Sequence, residues 1–130
     1  MLVRPISLDT NVVVRLVIDD VPAHTAAASA LLAGRKCYVS DAVVAEAVYT
    51  LQRIYGLERS EITRMLLYIF RTSQVLYNSR LLDAVFEVYE RRTSLSFIDC
   101  YAALEAGNRD HELATFDKKL TKAYPHIKEP

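Results

Sequence analysis

The period of the apolar residues changes along the chain, and the changes predict its elements. In "DAVVAEAVYTLQRIYG", Val43, Ala47, Val48, Leu51 and Ile54 share one arc of a 3.6-residue repeat, which predicts a helix closed by Gly56. In "SRLLDAVFEVYERR", Leu82, Val85, Phe86 and Tyr89 recur at core spacing. "PAHTAAASALLAG" predicts a helix with Pro22 in its first turn and Gly34 at its end. Ser60 opens a helix through "EITRMLLYIFR", and Ser96 caps one through "SFIDCYAALEAG" that Gly107 stops. Shorter apolar runs predict strands: "PISLD", "KCYVS", "QVLY", "ELATF" and, at an edge, "HIKEP". "NVVVRLVI" reads as a short helix or a continuation of the first strand, and "DKKLTKAY" as a last short helix.

Strands alternating with helices predict an α/β fold: a central, mostly parallel sheet of four to five strands flanked by helices on both faces. The 130 residues contain no repeat or linker and fit a single domain over 1–130. A chain of that size buries roughly two-thirds of its unfolded surface, so its core needs no staple.

Composition narrows the function. Hydrophobic residues make up 52 % and charged residues 25 %, a globular balance. The longest uncharged stretch, Val21 to Gly34, falls short of the roughly twenty residues that span a bilayer. "MLVRPISLD" has no signal-peptide layout, and Cys37 and Cys100 form neither a metal-ligand spacing nor a disulfide framework. Two reduced thiols in a cytoplasmic protein are the expectation. Sixteen basic residues balance sixteen acidic ones, so no overall field draws nucleic acid. Phosphate chemistry here needs a bound cation or a few placed basic residues.

Four acids stand at comparable places. Asp9 ends the first strand run, Glu46 lies in the helix after "KCYVS", Asp99 is in the first turn after Ser96, and Asp117 ends "ELATF". In a parallel sheet, ligands gather beyond the carboxyl ends of the strands, where these residues would meet. Each also has a local explanation. Asp9 can be a turn or cap residue, and Asp117 an N-cap for "KKLTKAY". Ser96-Phe97-Ile98-Asp99 matches a capping box, and Glu46 can be a solvated helix-face carboxylate. Taken jointly, the picture changes. Two carboxylates about 4 Å apart repel by roughly 4 kcal/mol at an effective dielectric near 20, so a cluster needs a cation or must hold protons. Oxygen donors without His or Cys select a hard ion, Mg²⁺ or Mn²⁺, and the implied chemistry is phosphate-ester hydrolysis.

"LDTNVVVRL", "VSDAVVAEAVYTL", "LSFIDCYAALEA" and "LATFDKKL" resemble, in order and spacing, the four acidic motifs of PIN-domain ribonucleases. The likeness is greatest to the small VapC-type toxins of prokaryotic toxin–antitoxin pairs, and it runs from Ser7 to Leu120. The resemblance implies a single PIN-like domain and a Mg²⁺- or Mn²⁺-dependent endoribonuclease with Asp9, Glu46, Asp99 and Asp117 as its acidic site. It makes Asp9 and Asp99 the principal metal ligands, with Glu46 and Asp117 completing the shell directly or through water. Thr10, Thr115 and Asn11 match polar neighbours that hydrogen-bond a carboxylate or phosphate. RNA as substrate, a cognate antitoxin and a homodimer follow from the same resemblance; no membrane is implied.

Other chemistries lack their residues. Gly34, Gly56 and Gly107 cannot build a phosphate-cradling turn, and His24, His111 and His126 make no zinc pattern. Tyr49, Tyr68 and Tyr89 occupy core-compatible helix positions, so packing is expected of them before base stacking. Asp19 and Asp20 read as solvent-facing. Arg15, Lys118, Lys119 and Lys122 are either a solvated charged face or contacts to an RNA backbone. The alternative function is a catalytically inactive PIN-like module that binds RNA or protein, its carboxylates merely capping.

Overall fold

The structure, a computed structural model, describes residues 4–130. Met1, Leu2 and Val3, on which the leader-free reading of the N-terminus partly rests, lie outside the described residues. The chain divides into two compact units, one ending at Asn78 and the other starting at Ser79.

In the first unit the order is β1 (Ile6–Ser7), α1 (Thr10–Val17), α2 (Pro22–Gly34), β2 (Cys37–Tyr38), α3 (Asp41–Arg53) and α4 (Arg59–Thr72). β1 and β2 run parallel, with Ile6 opposite Cys37 and Ser7 opposite Tyr38. Two helices bridge them, as a parallel pair requires a crossover. "QVLY" adds only an isolated parallel bridge, Leu76 to Tyr38, held by Leu76 N–H to the Cys37 carbonyl (2.8 Å) and Val39 N–H to the Leu76 carbonyl (2.9 Å). Gln74 before it takes a left-handed φ of 52°, which interrupts an extended run. Pro22 occupies the first position of α2, where its missing N–H leaves nothing unpaired.

The buried row of α3 is Val44, Ala47, Val48 and Leu51, one step from the predicted arc. The helix ends at Arg53, which leaves Ile54 as its C-cap and 71 % exposed. Gly56 then takes φ 69°, the left-handed turn expected of it. α4 begins before Ser60, because Glu61 reaches back to accept the Glu58 N–H (3.2 Å). Tyr49 and Tyr68 fall outside the buried rows and are 63 % and 68 % exposed, against the expectation of packing.

The second unit runs α5 (Ser79–Arg91), α6 (Phe97–Asn108), β3 (Leu113–Ala114), α7 (Lys118–Thr121) and β4 (Ile127–Lys128). α5 buries Leu82, Val85, Phe86 and Tyr89, the predicted set. Phe97 joins α6 to that row, its ring 4.9 Å from Phe86 and edge-on to Tyr89 at 5.5 Å. β3 and β4 are parallel, with Leu113 opposite Ile127. Gly107 does not stop α6: the helix runs on to Asn108, and the left-handed turn falls at Asp110 (φ 56°). A Cβ at Gly107 would stand 3.4 Å from the His126 ring, whose Nε2 hydrogen-bonds the Ala103 carbonyl at 2.8 Å. The 3.4 Å approach is ordinary van der Waals contact, so packing against His126 does not require glycine there.

The chain is thus α/β with parallel pairing, as predicted; among the described residues each unit holds one two-stranded pair in place of the expected four to five strands. Cys37 and Cys100 are buried and free. Burial pushes the Cys37 thiol up, toward the inert neutral form. Among the described residues no single helix is long and apolar enough to cross a membrane.

Candidate acidic site

In the first unit, the candidate residues follow the carboxyl ends of the strands. Leu8 N–H donates to the Tyr38 carbonyl (2.8 Å), which extends the β1–β2 ladder up to Asp9. The backbone of Asp9 is extended, and its carbonyl receives the Val12 and Val13 N–H groups at 3.1 and 3.2 Å to start α1. Its side chain makes no capping hydrogen bond and is exposed. Next in sequence, the Thr10 hydroxyl donates to Glu46 Oε2 at 2.8 Å. That bond links the start of α1 to the second turn of α3 and fixes the Glu46 carboxylate beside the residue that follows Asp9. Thr10 and Glu46 therefore form one hydrogen-bonded pair, with Asp9 next to Thr10 in the chain.

Two residues absent from the sequence-based set occupy the same kind of position. Asp41 begins α3 just past β2, and Asn78 follows the Leu76 bridge; Asn78 Nδ2 donates to Asp41 Oδ2 at 3.1 Å. The signal was an Asp and an Asn placed just after strand-like runs. It was masked because Ser40 already explains the helix start, its Oγ accepting the Val43 N–H at 3.2 Å.

Asn11 and Arg15 turn to different work. Asn11 lines a cleft of about 400 Å³ with Val12, Arg15, His24, Ala27 and Leu31. The Arg15 guanidinium pairs with Asp20 and donates to the Tyr55 hydroxyl at 3.2 Å. The Tyr55 hydroxyl in turn donates to Asp20 Oδ2 at 3.3 Å, so Arg15 is already neutralised within this unit. Asp19 and Asp20 are exposed, as predicted.

In the second unit the acids are held by backbone. Asp99 stands third in α6, where its N–H donates to Ser96 Oγ (3.1 Å) and its Oδ2 accepts the Ser96 N–H (3.0 Å). That is the capping box read from the sequence. Asp117 caps α7, its Oδ1 accepting the Lys119 N–H at 2.9 Å, while its own N–H donates to Thr115 Oγ1 at 3.0 Å. Thr115 follows β3 and is tied to β4 through its N–H to the Lys128 carbonyl (3.0 Å). Each cap engages one carboxylate oxygen and leaves the other for further bonds. Lys118, Lys119 and Lys122 are exposed.

Asp9 and Glu46 thus belong to the first unit, and Asp99 and Asp117 to the second. Among the described residues, no three His, Cys, Asp or Glu side chains within either unit form a metal-holding group. The donors at hand are carboxylate and hydroxyl oxygens, a set suited to a hard divalent ion. The family model for the PIN domain matches residues 6–124, which include every candidate acid. No curated protein sequence matches the chain.

Proposed function

The chain belongs to the PIN-domain family, whose members are generally nucleases, and on that premise we propose a Mg²⁺- or Mn²⁺-dependent endoribonuclease formed by one domain over 1–130. The observation that carries this reading is Asp9. It sits where its carboxylate could cap a helix, yet the carboxylate makes no cap bond, and its neighbour Thr10 orients Glu46. A carboxylate left without local structural work suits an ion better than a turn.

In this reading Asp9 and Asp99 are the principal metal ligands, and Glu46 and Asp117 complete the shell directly or through water. Mg²⁺ or Mn²⁺ held there would supply positive charge toward a phosphoryl oxygen and lower the pKa of a water. Glu46, bonded to Thr10, and Asp117 help orient the attacking water. Hydrolysis adds that water to phosphorus and breaks one P–O ester bond, and the departing oxygen takes up a proton. Lys118 and Lys119 neutralise backbone phosphates of the substrate, with Thr115 in a lesser supporting place.

The finer assignment, a toxin paired with a cognate antitoxin and acting as a cytoplasmic homodimer, follows the likeness of the four motifs to VapC-type toxins. The test is cleavage of RNA, single-stranded DNA and a small phosphate ester at equal metal. RNA cut with Mg²⁺ or Mn²⁺ and spared in EDTA supports the reading; cleavage indifferent to EDTA refutes it. One observation favours a second reading, an inactive binding module: Asp99 and Asp117 each have an oxygen in a backbone cap. RNA bound but never cut, at any metal concentration, would decide for that module.

A further inference from the structure

Among the described residues, Phe116 is the most exposed large apolar side chain, at 78 %. Single exposed apolar residues are ordinary on protein surfaces. Phe116 differs in its setting. The residue before it, Thr115, is bonded to the Lys128 carbonyl, and the residue after it, Asp117, caps α7 and is bonded to the Thr115 hydroxyl. The ring is therefore carried on a segment hydrogen-bonded on both sides, and no burial requires a phenyl group there. Next along the chain come the exposed ammonium groups of Lys118, Lys119 and Lys122. A rigidly mounted ring beside several cations matches the two faces of a single-stranded nucleic acid, its bases and its phosphates.

We propose that Phe116 is a substrate-positioning residue: its ring is a stacking platform for one base of single-stranded RNA, whose phosphates Lys118 and Lys119 meet. The proposal rests on the nuclease reading above and adds a residue to it. Stacking is tolerant of sequence, because every base has a π-face, so Phe116 confers grip without base identity. Tyr68, comparably exposed, also has cations beside it on α4, Arg64 and Arg71, but no candidate acid stands within a helical turn of it.

The test is fluorescence anisotropy with the full chain in EDTA, using a labelled oligouridylate and the same strand made of abasic sugars. Phe116→Ala is expected to bind oligouridylate about tenfold more weakly than the wild type, Phe116→Tyr to restore binding, and Phe116→Leu to fail. The abasic strand should bind the wild type and Phe116→Ala equally. Melting temperatures should agree, since an exposed ring contributes no core. Equal affinity of Phe116→Ala for oligouridylate overturns the proposal, as does no binding by the wild type or an equal loss on the abasic strand. A dimer that dissociates in Phe116→Ala with RNA binding unchanged would assign the ring to a protein contact and overturn it too. Binding in EDTA needs no cleavage, so the two readings fail separately. A chain that binds through Phe116 but never cuts sinks the nuclease. A chain that cuts while Phe116→Ala binds normally sinks only the platform.

Discussion

Asp9 starts its helix with a carbonyl alone, whereas Asp99 and Asp117 close theirs with carboxylate oxygens. All three helices have the ordinary first carbonyl bond, but only at α6 and α7 does a carboxylate also take up an otherwise unpaired N–H at the helix start. In the second unit each acid has a sufficient local reason to exist, so its chemistry must be separated from its structural work. In the first unit Asp9 has no such reason, and Glu46 is held by a threonine on another helix. An acid explained by its own helix says little about function; an acid left over says more.

The contrast predicts which substitutions separate activity from stability. Asp9→Asn should lower metal-dependent RNA cleavage by more than about a hundredfold, with a melting temperature equal to the wild type. Cleavage at the wild-type rate would remove its ligand role. Asp99 should behave as two residues in one. Asp99→Asn retains an acceptor for the Ser96 N–H and should lose cleavage alone, while Asp99→Ala should also lose on the order of 1 kcal/mol of stability by chemical denaturation. Equal stability of the two variants would show that the capping box contributes nothing. Ser96→Ala is the complementary control. It should lower stability by about 1 kcal/mol and leave cleavage intact. The smallest effect is expected of Thr10→Val, which unties Glu46: about tenfold slower cleavage and a stability change within about 0.5 kcal/mol.

Much of this was legible in the sequence because it is local. Pro22 opening α2, the Ser96–Asp99 box, Gly56 in its turn and the Leu82–Tyr89 row depend on neighbours within one helix. What the sequence hid depends on longer-range partners. Ile54 continues the apolar period of α3, yet the helix stops before it, and nothing in the period marks that end. Tyr49 and Tyr68 keep plausible spacing one step off the buried rows, and a period cannot resolve one step for an amphipathic ring. Arg15 looked available for phosphate because Asp20 and Tyr55, which bind it, lie in other segments. Asp41 is hidden by Ser40, whose cap already explains the start of α3, and Asn78 by its distance along the chain from Asp41. The four acids were legible as residue types at comparable places, and the division of their side chains between capping and free states required coordinates.

Carboxylates that serve a hard divalent ion should bind Mn²⁺, and thermal unfolding measures that binding without relying on catalysis. A specific ion in hundredfold excess over its Kd stabilises a protein by about 2.7 kcal/mol. The wild type should therefore melt at a higher temperature as Mn²⁺ is added, and Asp9→Asn should not respond. Melting that ignores Mn²⁺ in the wild type, or rises equally in Asp9→Asn, would contradict the account.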